Sequence, residues 1–327
     1  MTTKDKILCE LIKSGNEYIS GGRLGRNLGI SRNSIWKAVK QLEDEGHIID
    51  AVTNKGYRLM RNADTITKDA ILQSLSADID KSQIYILDTT DSTNNYAKKL
   101  AEEGAPENTI VIANKQTSGK GRMGRSFLSP KNTGIYMSII MRPDMKIDIA
   151  QMLTSCIAVS AAKAIDSLYK CNTQIKWVND LMVNDKKICG ILTEATIDCE
   201  AANFKYIVVG IGINVGSIRS AFDQELLEIA SSLEDETGIV IPRSQIIATV
   251  IDYVINDSGS LSDRSFLDEY RKRSWIIGKP VTISAQGIQK DAVAVDIDDN
   301  AGLVVKYENG QTDVINSGEA RVKRTEI

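Results

Sequence analysis

Residues 19–46, ISGGRLGRNLGISRNSIWKAVKQLEDEG, constrain the fold more than any other stretch of the chain. Ser20 stands where it caps a short helix carrying Leu24 and Leu28, and Gly29 where the chain turns with positive φ. Ser31 then caps a second helix with Ile35, Ala38, Val39 and Leu42 on one apolar face. Two short helices joined by a tight glycine-containing turn form a helix-turn-helix. Upstream, Ile7, Leu8, Leu11 and Ile12 recur at helical spacing and Gly15 ends that helix. Downstream, strand-like runs at 47–52 and 56–59 are split by Thr53, Asn54 and Lys55, the pattern of a wing hairpin.

Charge marks the same module. Residues 1–62 hold eleven Lys and Arg against seven Asp and Glu, although the whole chain carries a net −3. Between Glu17 and Glu43 stand Arg23, Arg26, Arg32, Lys37 and Lys40 with no acid among them. Such asymmetry fits a nucleic-acid-facing module joined to an acidic remainder. Ser31, Arg32, Asn33, Ser34 and Lys37 fall at the start of the second helix, off its apolar face, where a recognition helix meets base edges and phosphates. With Arg23, Lys40 and, on the wing, Lys55, they are the candidate DNA-binding residues; Arg58 is a further wing cation for phosphate. Trp36 has two readings, half-packed against the wing, which its helical spacing favours, or reading a base; Glu43, Asp44 and Glu45 are expected to form a solvated helix end.

Several function classes have nothing to build on. The one histidine, His47, lies in the N-terminal module, so a Ser-His-Asp triad or a multi-histidine metal site is excluded from the rest of the chain. Cys9, Cys156, Cys171, Cys189 and Cys199 show no C-x-x-C spacing, which points to free thiols in a reducing compartment. Lys4, Asp5 and Lys6 interrupt the N-terminus, which therefore does not resemble a secretory signal. Apolar runs are too short to span a bilayer. A cytoplasmic protein with no membrane partner is expected.

From about Thr65 strands and helices alternate, and three stretches carry chemistry. In the first, an apolar strand at 84–87 runs into a small-polar turn at 88–95 and then a helix. Ser92, Thr93 and Asn94 there are neutral donors and acceptors that suit a urea or amide group; helix capping is the plainer use of the same residues. In the second, a strand at 109–113 leads to Gln116 and then GKGRMGRS at 119–126. Its glycines let backbone approach a ligand, and Lys120, Arg122 and Arg125 supply cations, a combination that wants phosphate. It is not a P-loop: Arg125 stands where lysine is required, and a loop and an apolar strand follow instead of a helix.

The third stretch, TQIKWVNDLMVNDKKICGILTEA, reads as strand, bend, strand, tight turn at 184–186 and strand. Asn179 and Asp180 sit at the bend, and Lys176 and Lys187 flank the unit where a lysine can hold a carboxylate or phosphate as a point charge. Lys186 is assigned to a solvent face. Further on, GIGIN at 210–214 lacks the third glycine of a dinucleotide fingerprint, because Val215 occupies it; Asn214 remains at a strand end near a ligand. After Trp275, short strands with turns at Gly287, 299–300 and 309–310 imply a small antiparallel barrel.

Taken in this order, these residues resemble the biotin protein ligases, in the bifunctional form that also represses the biotin operon. The likeness runs along essentially the whole chain. The family's G-R-G-R-x-G-R loop is GKGRMGR here, its K-W-P-N-D is KWVND at 176–180, the strand that follows is KICGILTE at 187–194, and its G-x-G-I-N is GIGIN. The resemblance implies an α+β multidomain chain. It comprises a winged helix-turn-helix over 1–64, a central α/β catalytic domain resembling class II aminoacyl-tRNA synthetases over 65–273, and an SH3-like β-barrel over 274–327. It also implies that biotin and ATP, with Mg²⁺, give biotinyl-5'-AMP, and that biotin passes to a lysine of a biotin carboxyl carrier protein of acetyl-CoA carboxylase or another biotin-dependent carboxylase. A ligand-promoted homodimer on operator DNA completes the expectation.

By the same resemblance, Ser92, Thr93 and Gln116 hold the ureido ring, with Asn94 beside them. Gly119, Lys120, Gly121 and Arg122 close over biotin. Lys187 holds the biotin carboxylate and then the α-phosphate; with Arg122 and Asp180 it makes up the catalytic set. Arg122, Arg125, Phe127, Lys176, Asn179 and Asn214 face the nucleotide, Phe127 where the family often has tryptophan. No protein ligand for the metal is implied. Lys120 for arginine, Val178 for proline and Phe127 for tryptophan are departures, and Val178 is expected to loosen the bend before Asn179. A ligand-sensing regulator without ligase activity, a lipoate-type acyl ligase and a ligase with a vestigial DNA module are the other readings. The three-cation loop speaks against the first, and the neutral set Ser92, Thr93 and Gln116 against the second.

Overall fold

The computed structural model describes residues 2–15, 17–44, 47–61, 64–142, 150–198, 203–258, 261–285 and 288–323. Glu45, Cys199 and the turn expected at Gly287 lie outside them. Contacts divide the chain into two units, Met1–Thr65 and Ile66–Ile327.

The first unit holds α1 (Thr3–Lys13), α2 (Gly21–Leu28), α3 (Arg32–Asp44), β1 (Ile48–Val52) and β2 (Gly56–Arg61). Each helix starts where the sequence supplies a cap. Ser20 Oγ accepts from the Arg23 N–H at 3.2 Å and Ser31 Oγ from the Ser34 N–H at 3.1 Å. Gly29, at φ 65°, closes α2. The wing is an antiparallel pair, and Ile19 bridges Tyr57 beside it. Gly56 is required there, since a Cβ would stand 2.2 Å from the Ile19 carbonyl oxygen.

Ile7, Leu11, Leu24, Ile35, Ala38, Val39 and Leu42 are buried together and form this unit's core. Three residues lie outside that core. Ile12 is 49% exposed, because Ile7 and Leu11 already fill the inner face of α1. Trp36, about 100° around the helix from Ile35, is 53% exposed. Arg58 pairs with the Asp50 carboxylate at 2.9 Å and stacks 4.5 Å from the Tyr18 ring centroid.

The second unit contains α4 (Lys68–Ser74), β3 (Ile84–Leu87), α5 (Thr93–Glu102), β4 (Ile110–Ala113), β5 (Gly134–Met141), α6 (Ala150–Tyr169), β6 (Gln174–Lys176), β7 (Asp180–Val183), β8 (Lys186–Asp198) and β9 (Asn203–Asn214). These are followed by α7 (Gln224–Leu227), α8 (Leu233–Thr237), α9 (Arg243–Ser258) and α10 (Phe266–Arg273). The seven strands order as β3-β4-β5-β9-β8-β7-β6, parallel at β3–β4 and antiparallel elsewhere. The alternation of strands and helices thus hides a mixed sheet. Asn184 and Asp185, at φ 48° and 61°, turn β7 back onto β8 in two residues, a connection available only to antiparallel neighbours.

Helices α6 and α9 cover one sheet face and share its apolar core; α5 covers part of the other through Ala97 and Ala101 against Val111, Ile140 and Val208. Among the described residues no helix is long and apolar enough to cross a membrane.

The chain ends in β10 (Pro280–Ala285), β11 (Ile288–Ile297), β12 (Leu303–Lys306), β13 (Thr312–Ile315) and β14 (Glu319–Val322), an antiparallel sheet ordered β13-β12-β11-β10-β14. Its inner residues Val281, Ala294, Leu303 and Val305 belong to the same apolar cluster as α6 and α9.

Leu42 is fully buried in the small first core. Leu42→Ala is expected to cost about 2–5 kcal/mol, the usual range for a buried leucine, and to lower the denaturant midpoint of the N-terminal unit in far-UV circular dichroism.

Candidate active site

Strand alternation puts Gly190 and Leu192 of β8, Gly210 and Gly212 of β9 and Tyr136 and Ser138 of β5 on the sheet face that α5 only partly covers. The glycines leave a depression. A Cβ on Gly210 would stand 2.3 Å from Asn94 Oδ1, and one on Gly212 would stand 2.6 Å from the Phe127 ring. Gly190 lies under both Lys187 and Phe127, with 3.2 and 3.3 Å to a Cβ placed there. These glycines are the floor of a pocket, a role the reading of GIGIN as a failed dinucleotide motif missed. Their spacing of two on one strand was the available signal.

At one end the walls are neutral. Ser92, Thr93 and Asn94 are buried at the start of α5 and line the pocket. Ser92 occupies the N-cap position but makes no side-chain cap; Gln116, arriving from the loop after β4, takes that part. Its Oε1 accepts from the Thr93 N–H at 2.8 Å and the Thr93 hydroxyl at 3.1 Å, while its Nε2 donates to Ser129 Oγ at 2.8 Å. Ser138 Oγ lies 2.6 Å from Asn94 Oδ1, and Asn94 Nδ2 donates to Glu194 at 2.8 Å. Burial would raise the Glu194 carboxyl, but hydrogen bonds from Lys98 and Asn94 hold it below its ordinary value. Ser138, Glu194 and Lys98 were not legible as site residues.

The glycine loop forms the side wall. Gly121 N–H donates to the Arg125 carbonyl at 2.7 Å and Phe127 N–H to the Gly119 carbonyl at 2.8 Å, so 119–127 is a narrow hairpin with a turn at Arg122–Gly124. Gly119 is buried beneath it, its Cβ position 2.4 Å from the Phe127 carbonyl oxygen, and does not line the pocket. Lys120 donates to Asn95 Oδ1 at 2.6 Å. Phe127 meets Tyr136 edge-on, centroids 6.4 Å apart.

The other end is cationic. Lys187 Nζ sits 2.7 Å from Asp180 Oδ1. Arg122 donates to Asn179 Oδ1 at 3.2 Å and to the Gly318 carbonyl at 3.1 Å. Burial draws the Arg122 guanidinium below its usual value, with Asp180 opposing. Arg125 donates to Glu319 at 2.6 Å, and that bond holds the Glu319 carboxyl low. Lys176 and Trp177 also line the cavity. Asn179 Nδ2 donates to the Ile191 carbonyl at 2.7 Å. Val178 is packed at the bend: it is buried and its carbonyl accepts from the Tyr270 hydroxyl at 3.2 Å. Lys186 is occupied by the Leu227 carbonyl at 2.9 Å. Asn214 is not brought into the pocket lining; its amide donates to the Ser231 carbonyl at 3.0 Å.

In the first unit, Arg23, Arg32, Asn33 and Lys37 are exposed. The Ser31 and Ser34 hydroxyls lie 2.9 Å apart at the α3 cap, Lys40 pairs with Glu43 at 2.6 Å, and Lys55 lies 5.6 Å from the Tyr18 centroid.

The profile of the "Biotin/lipoate A/B protein ligase family" matches residues 86–214, that of "HTH domain" residues 3–58, and that of "Biotin protein ligase C terminal domain" residues 276–322. "Bifunctional ligase/repressor BirA" of Bacillus subtilis is 38% identical over 251 residues, 76% of this chain and 77% of that one. Its Escherichia coli counterpart is 28% identical over 92% of each chain. The solved "Biotin protein ligase from Aquifex aeolicus in complex with biotin and ATP" matches with a TM-score of 0.64 at 25% identity, covering 74% of this chain and 99% of that one.

Gly212→Ala tests the floor. Pushing Phe127 upward is expected to cost about 1–3 kcal/mol of overpacking and to weaken biotin binding at least fivefold by calorimetry, with the circular dichroism spectrum unchanged.

Proposed function

This chain belongs to the bifunctional ligase/repressor family, and from that premise we propose how its residues divide the work. It is an ATP-dependent biotin–protein ligase joined to a DNA-binding repressor module. The observation that carries our reading is the pocket lining: neutral groups at Ser92, Thr93, Asn94 and Gln116, with Lys120 tied to Asn95 beside them, then a cluster of four cations at Arg122, Arg125, Lys176 and Lys187.

A ureido ring needs donors and acceptors without charge, and Ser92, Thr93 and Gln116 provide them, with Asn94 behind. Gly121 and Lys120 belong to the loop that closes on biotin, with Gly119 as its buried base. The carboxylate then lies toward Lys187. Its oxygen attacks the α-phosphorus of ATP, forming the acyl–phosphate bond as the bond to pyrophosphate breaks. Both reactants are anions, so the gain comes from cations that bring them together and steady charge on the phosphoryl oxygens. Lys187 and Arg122 serve there, with Asp180 positioning Lys187. Arg125, Lys176, Asn179 and Phe127 face the nucleotide; Asn214 braces the strand end behind it. The carrier's lysine amine next attacks the acyl carbon, forming the amide and releasing AMP.

Among the described residues no group of three acidic, histidine or cysteine side chains gathers to hold a metal. Mg²⁺ would be carried by the triphosphate, with Asp180 the carboxylate at that end of the pocket, and would supply charge neutralisation to the phosphates. The carrier is a biotin carboxyl carrier protein, and the protein works in the cytoplasm.

We read 1–64, 65–273 and 274–327 as the functional divisions. The largely antiparallel seven-stranded sheet supports the likeness to class II aminoacyl-tRNA synthetases, and the strand order of the last sheet supports an SH3-like barrel. Biotinyl-AMP orders the 119–125 loop and favours a homodimer that binds a two-half-site operator through Arg23, Ser31, Arg32, Asn33, Ser34, Lys37, Lys40 and Lys55.

Purified protein with biotin, Mg²⁺ and α-labelled ATP is expected to form biotinyl-AMP without a carrier. Adenylate with lipoate but not biotin would overturn the substrate assignment. Lys187→Ala is expected to slow adenylate formation by about 10²–10³-fold, the effect of removing one transition-state donor. Chelation of the metal stops the first step, while transfer from preformed biotinyl-AMP continues.

A further inference from the structure

Trp36 lies on the outer side of α3 at 53% exposure. Tryptophan and arginine are among the residue types most enriched where binding energy concentrates, and here Trp36 follows Arg32 by one helical turn. The groove between α2, α3 and the wing is lined by Arg32 and Ile35 with 51–54, Gly56 and Tyr57, and Trp36 is not among its lining residues. On α3, Trp36 stands three and four residues after Asn33 and Arg32, so the three share one exposed strip. The first turn of α3 carries no acid; Glu43 and Asp44 stand at its far end, and Glu43 is paired with Lys40. Arg32 within the strip and Lys37 beside Trp36 on the helix are exposed cations.

We propose that Trp36 reads a base edge in the major groove of duplex DNA, beside Arg32 and Asn33. The proposal rests on the DNA-binding reading of the first unit. The indole offers a flat apolar face that fits a thymine methyl and one N–H donor that fits a purine N7 or a carbonyl oxygen. It carries no charge, so it displaces no counterion. Trp36 therefore adds sequence preference without adding to the salt dependence of binding, whereas Lys37 does the reverse.

The test uses the full-length protein with biotin, ATP and Mg²⁺. A randomised duplex pool supplies the preferred sequence. Affinity for that duplex and for a mixed-sequence duplex is then measured by fluorescence anisotropy across a salt series, for wild type, Trp36→Ala, Trp36→Phe and Lys37→Ala. Trp36→Ala is expected to lose roughly tenfold on the preferred duplex, the effect of one mismatched base pair, with mixed-sequence affinity and salt slope unchanged. Trp36→Phe recovers part of the loss. Lys37→Ala weakens both duplexes and flattens the slope by about one. Wild-type behaviour of Trp36→Ala on the preferred duplex overturns the proposal and leaves DNA binding standing. Equal losses on both duplexes for Trp36→Ala and Trp36→Phe, with loss of self-association in sedimentation, would make the strip a contact between copies of this chain. If wild type shows no salt-dependent affinity for either duplex, the DNA-binding reading fails and the proposal with it.

Discussion

Gly190, Gly210 and Gly212 leave the middle of the sheet bare, and the ligand end of the molecule is built into the space they give up. Asn94 and Phe127 occupy the volume that side chains at 210 and 212 would take, at 2.3 and 2.6 Å from the missing Cβ positions. Asn94 can then bridge Ser138 and Glu194 across β5 and β8, which fixes the start of α5 over the strands. Gln116 in turn caps that helix start and ties it to Ser129 beyond the glycine loop. Packing, capping and pocket shape thus depend on where the chain lacks side chains.

The charged end is organised by partners already in place. Lys187 meets Asp180, Arg125 meets Glu319, and Arg122 meets Asn179 and a backbone carbonyl. Partly buried cations need such acceptors, because leaving them unpaired away from water is costly. An incoming phosphate competes with protein oxygens for the same guanidinium hydrogens, so the site receives an anion by exchange of partners and not by filling a gap of uncompensated charge.

Local chemistry was legible where it was local. Ser20, Gly29 and Ser31 set helix ends through groups within three or four residues, and the wing and a tight turn expected at 184–186, which closes in 184–185, follow from short-range preference. The sequence also exposed the cations of the pocket, since glycine and arginine in alternation have few uses. Its blind spots were tertiary. Nothing near Trp36 says that Ile35 and Val39 already satisfy the inner face, and nothing near Arg58 announces Tyr18 and Asp50. Glu319 was invisible as a partner of Arg125 because 194 residues separate them. Lys98 and Glu194 meet across 96 residues, for the same reason out of reach of pattern.

The bond between Arg122 and the Gly318 carbonyl, with Arg125 on Glu319 and Trp177 Nε1 on the Ala301 carbonyl, has a consequence for biogenesis. On the ribosome the helix-turn-helix unit is finished once residue 65 has emerged, whereas the pocket wall waits for residue 319. At about 5–20 residues per second, roughly ten to fifty seconds separate the two events. A nascent chain therefore presents its basic surface to the surrounding nucleic acid well before it can activate a vitamin, and any arrest of translation in that interval leaves a folded DNA reader with an unfinished enzyme attached.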